Sequence, residues 1–241
     1  MSGHSHFKTV AATKNANDAK KGKIFSKMAR VITIAAKEKG DDISANPQLK
    51  SAIDRAKEFN MPKENIERAI KKGTGELAGE ALEEVSFEAF GPGGSALIVD
   101  GITDNKNRTI SEIKTIIGKF GGKMAGEGAV KWMFKRKGEI LVKYGAKPED
   151  ELELLAIEAG AQDTKRQKEG LEIYTNPEDL EKVKKELQDS GLVIESALLA
   201  WVADEEIQIQ DKEKEVAEKL FEALDENDGV QNIYSNVRSS E

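Results

Sequence analysis

The hydrophobic residues of this chain change their spacing once, close to residue 75, and that change limits the folds that are possible. Before it, they recur at helical spacing, as Phe25, Met28 and Ile32 do. After the Gly-rich stretch 73–80 they alternate with polar residues, as in "VSFE" at 85–88, which is typical of a strand with one buried face. We therefore predict a helical N-terminal part followed by a sheet-containing remainder.

The N-terminal part is predicted to contain three helices. The apolar stripes and the break at Gly40 place them at 18–39, 47–59 and 63–73. Pro62 suits a first helical turn and disfavours helix before it, so it separates the second helix from the third. Residues 1–75 are thus expected to form a three-helix domain with an irregular N-terminal arm.

The remainder is predicted to contain a β-α-β-β-α-β series, the order of a ferredoxin-like unit. A strand is expected at 130–135, before this unit. It is followed by a strand at 139–143, a helix at 148–160, a turn of chain at 161–164, a strand at 170–174, a helix at 177–190 and a strand at 192–202. A helix at 211–225 and a short strand at 230–236 follow. A tail this short makes a poor independent core, so we expect it to return to the sheet that begins at Val85.

The predicted fold is α+β, with a three-helix domain followed by two α/β domains, one of them ferredoxin-like and inserted in the other. The domains are expected at 1–75, at 76–136 plus 203–241, and at 137–202. A contiguous third domain with a separate tail is the alternative.

Charge is distributed unevenly along the chain. The net charge is −7, yet residues 1–72 carry 16 Lys and Arg against 8 Asp and Glu. The other residues hold 21 bases and 36 acids. Such asymmetry indicates a part that faces a polyanion, carried on an acidic body. The alternative is a lysine-rich helix whose outer face is simply solvated.

Few residues suit catalysis or metal binding. The chain has no Cys, and its two histidines are His4 and His6. "GPGG" at 91–94 precedes a strand rather than a helix, and "GKFGGKM" at 118–124 lacks the spacing of a phosphate-binding loop. We expect no enzymatic activity, catalytic residue, cofactor or metal site. One separate hypothesis is that Ser2-Gly3-His4, with Met1 removed, offers nitrogen ligands to Cu(II) or Ni(II).

Targeting features are also missing from the sequence. There is no apolar run of 18 residues and no signal-peptide pattern at the N-terminus. A cytoplasmic protein is expected, with no membrane partner and no small-molecule substrate.

The stretch "TDNKNRT" at 103–109 lies where a strand meets a helix. Asp104, Asn105 and Asn107 can cap that helix, which is the simplest interpretation. Lys106 and Arg108 are less expected there, because a helix N-terminus disfavours cations. The alternative is that this turn grips an anion such as phosphate.

Six segments together resemble one known family. They are "GHSHF", "GKIFSKMAR", "NMPKENIERAIKKG", "FGPGGSALI" with "TDNKNRT", and "GGKMAGEGAV". In this order they are similar to the YebC/PmpR family of bacterial gene-expression regulators, to which the mitochondrial translational activator of cytochrome c oxidase is related. The resemblance implies a helical domain and two α/β domains around a cleft, and a non-enzymatic protein. The chain begins at the first of these segments, so a bacterial protein rather than a mitochondrial precursor is expected.

The resemblance and the charge pattern together select the expected nucleic-acid-binding residues. They are Lys8, Lys14, Lys20, Lys23, Lys27, Arg30, Arg68, Lys71, Lys72, Asn105, Asn107 and Arg108, with Phe7 as a stacking residue. The family commonly has Lys-Trp where this chain has His6-Phe7, and a basic run where it has Ala11, Ala12 and Thr13. Losing that run should weaken binding and reduce its salt dependence.

Three functions remain open from the sequence. The first is a ribosome- or RNA-associated translation factor, and the second is a DNA-binding transcriptional regulator that uses the same basic surface. The third is a protein-interaction module with incidental charge. The helices at 47–72 resemble a helix-turn-helix. However, few residues on their exposed face could read bases: Arg68 is the best candidate and Asn65 the next. Phosphate-led binding to ribosomal RNA or duplex DNA therefore suits the residues better than operator recognition.

Overall fold

The structure is a computed structural model that describes residues 18–79, 81–145, 147–168 and 170–238, with side chains from Lys21 onward. The described part of the helical domain consists of α1 (Asp18–Lys39), α2 (Pro47–Glu58) and α3 (Lys63–Gly73). Asn46 caps α2, because its side-chain oxygen accepts the N–H of Leu49 at 3.0 Å. The predicted N-terminal arm lies outside the described residues.

The three helices pack around one apolar core. Met28 and Ile32 of α1, Leu49 of α2 and Ile66 of α3 are buried in it. These residues belong to the stripes that the sequence predicted, so the helical periodicity identified the core side of each helix correctly.

The middle domain contains a four-stranded sheet whose strands come from two separate parts of the chain. Its elements are β1 (Glu83–Phe90), β2 (Ala96–Thr103), α4 (Lys106–Lys119), β3 (Lys123–Met124), α7 (Asp211–Asp225) and β8 (Val230–Ser235). The strand order is β3-β1-β2-β8, and β8 pairs antiparallel with β2 from Leu97–Ser235 to Gly101–Val230. The tail therefore does return to the sheet, as expected. Helices α4 and α7 share a buried core with the sheet through Ile113, Ile117 and Leu220.

The inserted domain is ferredoxin-like. Its elements are β4 (Phe134–Lys143), α5 (Glu149–Glu158), β5 (Asp163–Gln167), β6 (Gly170–Thr175), α6 (Leu180–Asp189) and β7 (Ile194–Ala203). All neighbouring strands are antiparallel, in the order β5-β6-β4-β7. The fold class is as predicted, while the domain limits given above stay a prediction.

Two local predictions are wrong. Residues 130–135 were expected to form a strand with one covered face, but Lys131–Met133 form a short 3₁₀ turn and Trp132 is 70% exposed. The cause is the buried carboxylate of Glu88, which accepts the N–H groups of Gly128, Val130 and Lys131 and removes them from strand pairing.

The second error concerns the turn expected at 161–164. There the chain enters β5, whose sequence "DTKRQ" has no apolar alternation. It forms the edge of its sheet and pairs only with β6, so it buries too little to show a pattern. In contrast, "GPGG" connects β1 to β2, in agreement with its predicted place before a strand. Gly93 and Gly94 adopt φ values of 66° and 74°, which L-residues rarely do.

Two glycines in the helical domain form a matched test of packing. A Cβ on Gly73 would collide with the carbonyl oxygen of Thr33, because α3 ends against α1. A Cβ on Gly22, inside α1, would meet nothing within 4 Å. We expect Gly73→Ala to lower the free energy of unfolding by about 1–3 kcal/mol. Gly22→Ala should raise it by about 0.5–1 kcal/mol. Urea unfolding of both variants checks this, and equal effects of the two would contradict it.

Candidate nucleic-acid interface

Lys27 is a buried cation at the contact between the helical and middle domains. Its side chain is 5% exposed, and its Nζ donates to Oδ1 of Asp225 at 2.8 Å and to the carbonyl oxygen of Asp225 at 2.7 Å. Asp225 is the last residue of α7. The carbonyl groups at a helix C-terminus carry partial negative charge, so they reinforce the attraction of the carboxylate for a lysine.

Two more bases of α1 reach the middle domain on either side of Lys27. Lys23 forms an ion pair with the carboxylate of Glu226. Arg30 Nη1 donates to the carbonyl oxygen of Ile102 at 2.7 Å. The three bases are spaced four and three residues apart, so they lie along one face of α1. We call Lys23, Lys27 and Arg30, with their partners, the interdomain clasp.

The clasp corrects one expectation. The sequence placed Lys27 on the outward face of α1, and that is wrong, because the middle domain covers this part of the face. Lys23 and Arg30 are only partly covered. The helical wheel identified the polar side correctly, but it cannot say whether water or another domain lies against that side.

A groove between α1 and α3 collects other predicted bases. Its volume is about 530 Å³, and we call it the α1–α3 groove. Arg30, Arg68 and Lys72 line it, together with Asn65 and the half-buried ring of Phe25. Within the described part of the chain, no carboxylate lies within 4 Å of the charged groups of Arg68 or Lys72. Their charges therefore remain available to an anionic ligand.

Phe25 was missed as a groove residue by the sequence analysis. It was assigned to the apolar stripe of α1, and it does pack against the core of the helical domain. It is only partly buried, however, and it also lines the groove. Its place within the apolar stripe gave no indication that part of the ring is accessible.

The remaining predicted bases fall into two groups. Lys71 is exposed on α3 outside the groove lining. Lys8, Lys14 and the stacking residue Phe7 lie outside the described residues, as does the side chain of Lys20.

The turn at 103–109 is capped and ion-paired within the chain. The side-chain oxygen of Asn105 accepts the N–H of Arg108 at 3.0 Å, and Arg108 Nη2 donates to Oδ1 of Asp104 at 2.6 Å. Arg108 thus has an acidic partner that offsets its unfavourable place at a helix N-terminus. Asn107 is exposed beside it.

An adjoining polar cavity of about 420 Å³ is lined by both acids and bases. The acids are Glu112, Glu226 and Asp228, and the bases are Arg30 and Arg108. This mixture of charges gives weak support to an anion site at the turn.

The chain was compared with known proteins. The model of the TACO1/YebC protein N-terminal domain matches residues 5–76. The model of the TACO1/YebC second and third domain matches residues 82–237. The chain belongs to the TACO1/YebC family.

Relatives match over nearly the whole chain. A protein of Thermoanaerobacter pseudethanolicus is 47% identical over 98% of this chain and 97% of its own length. One of Halothermothrix orenii is 45% identical over 98% of this chain and 94% of its own length. Both are named probable transcriptional regulatory proteins. The crystal structure of a conserved hypothetical protein from Aquifex aeolicus superposes with a TM-score of 0.87 at 44% identity, over 93% of each chain.

Two further features of this family member concern membranes and metals. No helix among the described residues is long and apolar enough to cross a membrane. The same residues contain no group of three His, Asp or Glu side chains placed to hold a metal ion. The hypothesis of a copper site at His4 concerns residues outside the described part.

The clasp can be tested by comparing two lysines of α1. We expect Lys27→Met to lower the free energy of unfolding by about 2–4 kcal/mol, because it leaves Asp225 without its buried partner. The matched variant Lys23→Met should cost less than about 1 kcal/mol, since its ion pair is exposed to water. Urea unfolding followed by circular dichroism gives both values. A clasp that holds the domains together is contradicted if the two variants are equally stable.

Proposed function

We propose that this family member is a non-enzymatic, nucleic-acid-binding regulator of gene expression that acts in the cytoplasm as a ribosome- or RNA-associated translation factor. The observation that supports this most is the α1–α3 groove, where Arg68 and Lys72 lie beside Asn65 and Phe25 and have no acidic partner among residues 18–238 as far as the structure describes them. Proteins bind single-stranded nucleic acid with cations that contact phosphates, amides that contact base edges and aromatic rings that stack on bases.

The exposed surface of α3 favours phosphate-led contact over readout of a DNA major groove. Its N-terminal half exposes Glu64 and Glu67, and Lys63 is 3.5 Å from the carboxylate of Glu67. A recognition helix inserts its N-terminal residues between two rows of phosphates, which repel carboxylates. Arg68 and Lys72 follow one and two turns later, inside the groove. A concave, partly aromatic groove suits unpaired nucleotides of RNA.

The clasp divides the predicted residues into primary and secondary contacts. In the described geometry, Arg68 and Lys72 are open to a ligand, whereas Lys27 is held by Asp225. We propose the groove bases as the primary contacts, with Lys71 beside them. Lys8, Lys14, Lys20 and Phe7 are proposed as further contacts from the sequence alone. Lys23, Asn105, Asn107 and Arg108 are secondary contacts on the middle-domain side.

A DNA-binding transcriptional regulator is the second candidate. Relatives that are 45–47% identical carry the name probable transcriptional regulatory protein, which favours it. The same groove bases would then contact duplex phosphates, because phosphate groups are alike on both polymers.

Removing the groove bases tests nucleic-acid binding. We expect Arg68→Ala/Lys72→Ala to weaken binding to a labelled single-stranded RNA about tenfold or more, and to reduce the slope of log affinity against log salt by about one to two. Fluorescence anisotropy across a salt series measures both. The matched control is Lys57→Ala/Lys63→Ala, which removes two exposed cations of the same domain outside the groove. Equal losses in the two variants would show only a diffuse charge effect and would reject the groove.

A competition experiment between ribosomes and duplex DNA identifies which polymer, RNA or DNA, the protein prefers. We expect the protein to sediment with purified ribosomes at ~0.15 M salt in the presence of excess duplex DNA. Arg68→Ala/Lys72→Ala should remain in the supernatant. Transfer of the wild-type protein to the DNA-bound fraction would instead favour the transcriptional candidate.

A further inference from the structure

All three domains meet at a third cavity, distinct from the α1–α3 groove and from the polar cavity beside the turn at 103–109. Its volume is about 380 Å³, within the roughly 300–1,000 Å³ of small-molecule sites, and we call it the central cleft. Arg55 of α2 lines it from the helical domain. Asp100 of β2 and Gln231 of β8 line it from the middle domain, and Arg136 of β4 and Trp201 of β7 from the inserted domain. The site therefore exists only in the assembled protein.

Three cations line the central cleft. Lys131 Nζ lies 4.8 Å from the ring centroid of Trp201, and Arg136 Cζ lies 5.1 Å from it. Both charges are thus held near the indole ring, which fixes their positions. Burial lowers the pKa of Arg55 to about 10, so its guanidinium remains charged at neutral pH. Among the described residues, no carboxylate lies within 4 Å of Lys131 Nζ.

The two acids of the cleft offset only part of this positive charge. Asp100 accepts from Ser86 Oγ at 2.7 Å and lies 3.6 Å from Arg136 Nη1, so it is already paired within the protein. Burial raises the pKa of Asp100 above its ordinary value, and burial also raises that of Glu84. Three cations face two carboxylates, so the cleft carries a net positive charge.

Gln231 supplies a second, independent observation. Its side chain is buried, with 7% exposure for the whole residue, and its amide nitrogen Nε2 has no hydrogen-bond partner among the described residues. A buried amide without a partner costs about 1–3 kcal/mol, and such groups are rare in folded proteins. The nitrogen itself has less than 1 Å² of accessible surface, so a ligand oxygen can accept this N–H and remove the cost only after the Gln231 side chain turns toward the cleft.

We propose that the central cleft binds a phosphate-bearing ligand of mononucleotide size, with Lys131, Arg55 and Arg136 facing the phosphate and with Gln231, once its side chain turns into the cleft, donating to a ligand oxygen. The phosphate belongs either to a free nucleotide or to one nucleotide of a strand. The ligand is bound and not turned over. This inference is independent of nucleic-acid binding by the α1–α3 groove.

Tryptophan fluorescence can report ligand binding in the central cleft, because Trp201 lies in its wall and Trp132 does not. In Trp132→Phe, the remaining indole is Trp201 in the cleft wall. We expect its fluorescence to change saturably when AMP, inorganic pyrophosphate or a short single-stranded oligonucleotide is added. In Trp201→Phe, the exposed Trp132 remains and should report no saturable change with AMP or pyrophosphate. No response of Trp201 to any of the three probes would overturn the proposal.

A matched lysine pair tests the charge. Lys131→Gln, in the Trp132→Phe background, should weaken binding about tenfold. Lys135→Gln makes the same charge change four residues away, at a lysine that pairs with Asp204 at 2.9 Å outside the cleft, and should leave the affinity unchanged. Equal losses in both variants would overturn the proposal.

Gln231→Leu tests the amide. It should weaken binding while the thermal midpoint stays the same or rises, because it removes an unpaired buried donor. Unchanged affinity in this variant would overturn the assigned contact. A response to AMP identifies a free nucleotide as the source of the phosphate, and a response to the oligonucleotide alone identifies a strand. Anisotropy of Arg68→Ala/Lys72→Ala, which lie outside the cleft, reports on the groove separately.

Discussion

The pairing of β8 with β2 is the interaction on which the rest of the structure depends. The chain leaves the middle domain near Phe134, builds the whole ferredoxin-like unit, and returns through α7 to β8. The return places the C-terminal end of α7 against α1, which makes the clasp through Asp225 possible. It also places Gln231 in the wall of the central cleft. Two interdomain sites thus follow from one strand pairing between residues more than 100 positions apart in the sequence.

Burial, rather than the type of residue, separates structural cations from those available to a ligand. Lys27 and Lys72 both lie on helices that were predicted to carry basic faces. Lys27 is 4% exposed and bound to a carboxylate and a carbonyl, whereas Lys72 is exposed at the groove. Taking a cation out of water is costly unless partners replace the water, and the end of α7 supplies both partners.

The sequence predicted what local periodicity encodes. The apolar stripe of α1 identified its core side, and the return of the tail followed from the poor core of a short segment. Periodicity failed where a distant polar group determines the backbone, as when Glu88 holds the turn before Trp132. It also failed for the polar edge strand β5, which buries one side at most. The clasp could not be predicted, because Lys27 and Asp225 are 198 residues apart and neither has a local pattern that points to the other.

Arg30 links the groove to the domain contact. Its guanidinium lines the α1–α3 groove and also donates to the carbonyl oxygen of Ile102 in the middle domain. A phosphate that draws this guanidinium into the groove must compete with that hydrogen bond, whose acceptor lies in another domain. Binding in the groove and contact between the domains therefore share one side chain, and by linkage each changes the free energy of the other. The acidic middle domain also pairs with two bases of α1, through Asp225 and Glu226. Because this part of the positive charge is already paired, α1 attracts polyanions less indiscriminately.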